Sequence, residues 1–190
     1  MSLTLITGGA KSGKSSFAES LLKNKNVCYI ATNSRDFVDF EMEDRVKKHK
    51  EQRDEKWHTE ERYKNIGQYI KKNKNQYDAF LIDCATMLTT NLLFEYIEKN
   101  YFTLDFESLS PHQIKQLELK IEDEWSKLLR EISYLNVPII IVTNEVGSSI
   151  VPDNKLGRWF QDMLGKINQN IAKKSLDVYL VICSIPQKLK

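Results

Sequence analysis

The sequence predicts an α/β fold with a mostly parallel central sheet flanked by helices, its 190 residues forming a single domain. Three observations carry that expectation. Short apolar runs rich in β-branched and aromatic residues recur along the chain, separated by segments of helical pattern, and this alternation builds parallel sheets from strand–helix–strand units. The runs are nearly continuous in apolar character, which marks strands buried on both faces. The first run also leads straight into a glycine-rich turn and then a helical pattern. In such folds ligands gather at the carboxyl ends of the strands.

The expected strands are LTLIT (Leu3 to Thr7), VCYIA (Val27 to Ala31), AFLID (Ala79 to Asp83), PIIIVT (Pro138 to Thr143) and VYLVIC (Val178 to Cys183). Helical patterns cover Lys14 to Lys23, about Phe40 to Gln52, about Glu60 to Lys72, Thr86 to Asn100, Pro111 to Leu135 and about Asn154 to Lys174. Ser110 before Pro111 reads as an N-cap with proline in the first turn. KNKNQYD (Lys72 to Asp78) reads as a polar loop, and Tyr101 to Ser110 as an irregular, mobile connection. No repeat or low-complexity linker interrupts the pattern.

Composition narrows the function classes. The formal net charge is +2 with both signs well mixed, and no basic block argues for a nucleic-acid partner. The longest apolar runs fall far below the ~20 residues of a membrane helix. The chain opens on a strand-like segment, so no signal peptide is expected. Cys28, Cys84 and Cys183 lie far apart, each in or beside an apolar run. They suit small buried residues of a reduced cytoplasmic protein, and none has zinc-ligand spacing. The three tryptophans, Trp57, Trp125 and Trp159, read as core or interface residues, and His58 and His112 as surface residues.

The strongest signal is GGAKSGKS, from Gly8 to Ser15. It fits G-x-x-x-x-G-K-[ST] between a strand and a helix, the context in which that pattern cradles phosphates, so the expected fold is P-loop NTPase-like. Gly8, Gly9 and Gly13 let the backbone approach the anion, with the amides of Ala10, Lys11 and Ser12 and the start of the next helix facing it. Lys14 reaches the β- and γ-phosphates and Ser15 holds Mg²⁺. Asp83, at the carboxyl end of its strand, either supports the metal or caps the following helix, and the presence of the loop favours the metal. The N-K-x-D pattern that reads guanine in regulatory GTPases is absent from the sequence, which argues against a switch GTPase.

A second signal is EMEDRVKKHKEQRDEKW. Arg45, His49 and Arg53 recur every four residues and would share one helix face with Glu41. Periodicity alone reads this as a solvated charged face. Chemistry offers another reading: a neutral imidazole is a nucleophile toward phosphorus, and flanking guanidinium groups disfavour its protonation and stabilise charge on phosphoryl oxygens. Asn144 and Glu145 follow the PIIIVT strand at its carboxyl end. Glu145 reads equally as a base or contact to metal-bound water and as a cap of its own turn.

Together with YIAT (Tyr29 to Thr32), WHTEE (Trp57 to Glu61), TNLLF (Thr90 to Phe94) and VTNEVGSSIVPDN (Val142 to Asn154), these blocks make the chain resemble the bifunctional adenosylcobinamide kinase/adenosylcobinamide-phosphate guanylyltransferases of cobalamin biosynthesis, over nearly its whole length. The resemblance implies that His49 becomes guanylylated. It implies nucleotide contacts from the phosphate loop, from Ala31, Thr32 and Asn33, from Lys50, Glu51, Gln52 and Arg53, from Glu61 and from Asp83, where some relatives place glutamate. It further implies Mg²⁺ or another divalent cation, GTP and ATP as substrates, adenosylcobinamide and its phosphate as acceptors, and a homo-oligomer. One reaction breaks the bond to the γ-phosphate and the other the bond to the α-phosphate, so the helix bearing His49 is expected to move between distant and close positions. The alternatives are a guanylyltransferase that has lost the kinase step, a plain small-molecule kinase with the same loop, and a non-enzymatic nucleotide-dependent binding module.

Overall fold

The computed structural model describes residues 3–33 and 57–190. The expected helix from about Phe40 to Gln52, and with it Glu41, Arg45, His49, Lys50, Glu51, Gln52 and Arg53, lies outside the described residues.

Five of the strands lie where the apolar runs place them: β1 (Leu3–Gly8), β2 (Val27–Ala31), β4 (Ala79–Asp83), β5 (Ile139–Asn144) and β6 (Asp177–Ile182). Two more, β3 (His58–Glu61) and β7 (Ile185–Lys188), sit at the two edges. The sheet order is β3-β2-β4-β5-β1-β6-β7. Every pairing is parallel except β6 with β7. The mostly parallel α/β architecture is therefore the observed one.

Side-chain alternation along the buried strands divides the core into two layers. One face carries Leu3, Leu5, Cys28, Ile30, Phe80, Ile82, Ile139 and Ile141. Helices α2 (Ile66–Asn73), α3 (Ala85–Tyr101), α4 (Pro111–Ser133) and α5 (Lys155–Lys174) cover it. The other face carries Ile6, Val27, Tyr29, Leu81, Ile140 and Val142, packed against Ala18 and Leu22 on and just beyond α1 (Lys14–Leu21).

Local chemistry fixes the helix ends. Ser110 and Gln113 form a reciprocal capping box at the start of α4, with Gln113 N donating to Ser110 Oγ at 3.3 Å and Ser110 N to Gln113 Oε1 at 2.9 Å. Asn154 Oδ1 accepts from Gly157 N at the start of α5. Trp125 and Trp159 are buried, and Trp125 Nε1 donates to Thr89 Oγ1 at 3.1 Å.

Four expectations need correction. The helix expected from about Glu60 begins only at Ile66, because His58–Glu61 pairs in parallel with Cys28–Ala31 as an edge strand. The turn of hairpin β6–β7 sits at Cys183 and Ser184, both in the left-handed region (φ 50 and 64), so β6 stops at Ile182. Cys183 is exposed rather than buried; all three cysteines are free thiols. The Tyr101–Ser110 connection contains a 3₁₀ turn, Phe106–Ser108, and is pinned to α5. Phe106 is buried against Trp159, Lys155 Nζ donates to Leu109 O at 2.8 Å, and Leu156 N donates to Glu107 Oε1 at 3.0 Å.

Candidate active site

The phosphate loop joins β1, an interior strand between β5 and β6, to α1. Gly13 is the helix N-cap with φ 91, a conformation that glycine adopts without a Cβ penalty. A Cβ there would lie 2.5 Å from Ser184 Oγ and 2.9 Å from Ser184 Cα. The hairpin tip thus forms a wall of the loop, and Ser184 N donates to Ser12 O at 2.8 Å. Inside the loop Ser12 N donates to Gly9 O at 3.3 Å, and Lys14 Nζ donates to the same carbonyl at 2.9 Å. From the other side Glu145 N donates to Gly8 O at 3.0 Å. Burial pulls the Lys14 amine below its ordinary pKa, with Cys84 and Asp83 pulling the other way. A partly desolvated ammonium next to a loop of amides is suited to an anionic group that repays its lost hydration.

The register of the sheet assembles the rest. Ala31 pairs with Glu61 on one side and with Asp83 on the other. Asp83 pairs in turn with Val142, and Val142 with Ile6. Paired residues in a parallel sheet share a face, and Ile6, Ala31 and Val142 face α1. Glu61, Ala31 and Asp83, predicted separately from three segments, therefore form one row at the carboxyl ends of three adjacent strands. Their face is the one covered by the helix that carries Lys14 and Ser15.

Asp83 is held from several directions. Tyr29, two residues before Ala31 on the same face, donates its hydroxyl to Asp83 Oδ2 at 2.7 Å. Thr32 N donates to Asp83 O at 3.1 Å. Oδ1 is left without a hydrogen-bond partner among the described residues. A serine hydroxyl at the helix start and one available carboxylate oxygen form a hard, sparse donor set. That set fits Mg²⁺, which keeps several waters and takes much of its coordination from substrate phosphates.

Thr32, expected as a nucleotide contact, lies just beyond β2. It is 0 % exposed. Its hydroxyl donates to Cys84 O and accepts from Cys84 N, both at 2.8 Å, and its carbonyl accepts from Asn91 Nδ2 at 2.5 Å. Its amide, hydroxyl and carbonyl are all engaged within the protein. Asn33 follows at the rim, half-buried. Glu145 caps its own turn, its carboxylate accepting from Gly147 N at 2.8 Å and Ser148 N at 3.1 Å. The turn-capping reading, rather than the base, matches this geometry.

Tyr29 and Asn91 were not singled out by sequence reasoning. Tyr29 carried a signal, a phenol in an otherwise aliphatic strand. Asn91 had only its place in TNLLF, and nothing in helical spacing shows that it faces the end of β2.

Comparison with known proteins places this geometry in context. A family model described as cobinamide kinase / cobinamide phosphate guanyltransferase matches residues 4–189. The chain is 36% identical over 190 residues to the bifunctional adenosylcobalamin biosynthesis protein CobU of Escherichia coli, covering 99% of each chain. It is 37% identical over 191 residues to the protein of that name from Salmonella typhimurium, again covering 99% of each. It is 30% identical over 188 residues to the bifunctional adenosylcobalamin biosynthesis protein CobP of Pseudomonas aeruginosa, covering 98% of this chain and 96% of the relative.

Proposed function

The chain belongs to the cobinamide kinase / cobinamide phosphate guanyltransferase family, and from that premise we propose how its residues divide the two reactions. In the first, the aminopropanol hydroxyl of adenosylcobinamide attacks the γ-phosphorus of a nucleoside triphosphate. The new O–P bond forms as the β–γ bridging bond breaks, and the nucleoside diphosphate leaves. In the second, an imidazole nitrogen of His49 attacks the α-phosphorus of GTP and pyrophosphate leaves. A phosphate oxygen of adenosylcobinamide phosphate then attacks the phosphorus of the GMP–histidine adduct, giving adenosylcobinamide-GDP and regenerating the imidazole.

The observation that carries this reading is the placement of the Lys14 ammonium and the start of α1 on the sheet face that also bears Asp83 and Glu61. Lys14 and the loop amides hold the β- and γ-phosphates in both reactions, as the transferred group in the first and within the leaving group in the second. Ser15 and Asp83 would hold Mg²⁺, which would offset the negative charge of the phosphates. Arg45 and Arg53 flank His49 in sequence and stabilise the phosphoryl charge there. Lys50, Glu51, Gln52, Ala31, Asn33 and Glu61 line the nucleotide. The reading extends to a homo-oligomer in the cytoplasm, checked by light scattering and fractionation.

The test is intact-protein mass spectrometry after incubation with GTP and Mg²⁺, beside His49→Ala. The expected result is a gain of one GMP, acid-labile and absent from the variant. GTP binding without an adduct would overturn the histidine mechanism and leave a plain kinase.

A further inference from the structure

Asp83 lies at a junction that the reaction scheme leaves unexplained. It ends β4, and the next residues turn at once into α3. Two buried residues from elsewhere hold the backbone at this turn. Thr32, just beyond β2, brackets the Asp83–Cys84 linkage: its amide donates to Asp83 O at 3.1 Å, while its hydroxyl accepts from Cys84 N and donates to Cys84 O, each at 2.8 Å. Asn91, on the second turn of α3 and 3 % exposed, reaches back to donate Nδ2 to Thr32 O at 2.5 Å.

We propose that Thr32 and Asn91 form a clip that positions Asp83 for the phosphate and metal chemistry, Asn91 acting through Thr32 and Thr32 through the Asp83–Cys84 linkage. On the other flank Asn144 N donates to Thr86 Oγ1 at 3.0 Å, so the turn into α3 is held from β2 and from β5 at once. With its backbone so fixed and Oδ2 occupied by the Tyr29 hydroxyl at 2.7 Å, the carboxylate presents Oδ1 in one direction. Asn91 Oδ1 is buried without a partner among the described residues. A leucine would remove that unpaired oxygen, but it would also remove the donor that Thr32 needs. The amide is therefore there for its nitrogen, whose one partner among the described residues is Thr32 O. The inference rests on the assignment of Asp83 as the metal-side carboxylate.

The test uses the full chain with Thr32→Val, Thr32→Ser and Asn91→Leu. Two readouts are taken: steady-state kinase kinetics, and the Mn²⁺ affinity of the ATP-bound protein by electron paramagnetic resonance. Thermal melting serves as the folding control. Thr32→Val and Asn91→Leu should lower kcat about 10- to 100-fold, with KM for ATP changed less than about threefold, because a misplaced carboxylate affects the transition state more than ground-state binding. Mn²⁺ should bind about fivefold more weakly. Thr32→Ser, which keeps the hydroxyl, should restore most of both losses. A lowered melting temperature with unchanged kcat and Mn²⁺ affinity would overturn the clip, as would a serine variant no better than valine. If the wild-type protein transferred neither group, the reaction scheme would fall, and the Mn²⁺ affinities would still decide the clip.

Discussion

The two sides of the nucleotide rim are held together by different means. On the β1 side the phosphate loop is a backbone structure. Gly13 has no side chain to place, the loop closes on its own carbonyls, and Ser184 braces it through a main-chain bond to Ser12 O. On the β4 side the Tyr29 hydroxyl holds the Asp83 carboxylate, and Thr32 and Asn91 hold the backbone that follows it. The first arrangement fails when an atom is added, the second when a hydrogen bond is removed. The back of the molecule, where α2 meets α4, follows the first rule but serves only packing.

The largest effect should come from the group shared by both reactions. Lys14→Ala should lower both transfers by about 10²- to 10³-fold, the loss typical of one preorganised charge-stabilising donor, measured by single-turnover assays. Gly13→Ala comes next. Its Cβ must enter a space where Ser184 Cα lies 2.9 Å away, on a backbone at φ 91. Calorimetry should find nucleotide affinity weakened by about tenfold or more, since strain of this kind costs about 1–3 kcal/mol. Tyr29→Phe tests the other rule. It takes the donor from Asp83 Oδ2 and should cost about 1 kcal/mol of stability by urea unfolding, with kcat lowered several-fold and KM for ATP little changed.

Gly67→Ala separates packing from chemistry. Its Cβ would meet Glu131 Cβ at 2.7 Å and the Glu131 carboxylate closer still. Overpacking of this kind should cost about 1–3 kcal/mol in urea midpoint, while kcat/KM for the folded fraction stays unchanged. The smallest effect concerns pH. Lys14 titrates below its ordinary value of 10.5 because burial disfavours its charge. Between the folded and ordinary values the unfolded chain binds more protons, so this lysine's contribution to stability rises with pH through that window. With the ammonium in its proposed role on the phosphates, nucleotide affinity should fall with pH sooner than for an exposed lysine. A calorimetric pH series on wild type would sharpen this, and Lys14→Ala should abolish the trend.

The same contrast explains what was legible in the sequence. The phosphate loop could be read because its function lies in backbone geometry that glycine spacing encodes. The strand order could not, yet Asp83, Ala31 and Glu61 were each visible, and the register brought them into one row. The edge strands β3 and β7 escaped notice because they lack the continuous apolar character of strands buried on both faces. His58–Glu61 is polar and half exposed, and Ile185–Lys188 is fully exposed and contains Pro186. The hairpin turn between β6 and β7 carries Cys183 and Ser184 instead of the Asn-Gly that marks such turns. Asn91 was unreadable for another reason: its meaning depends on which residue lies 2.5 Å away, and that residue is 59 positions earlier in the chain. Asparagine inside a helix reads as a weak helix former until the partner is known.

The hairpin tip has a practical use. Cys183 is the one exposed thiol of the three, and it adjoins Ser184, the residue that touches the loop. Cys28 and Cys84 are protected in a second way, because burial pushes both thiols up to about 11 and leaves little thiolate at neutral pH to react. A maleimide dye should therefore attach at one place in the unmodified protein, one residue from the phosphate cradle. Its emission would then follow nucleotide arrival and pyrophosphate departure in real time, without an engineered cysteine.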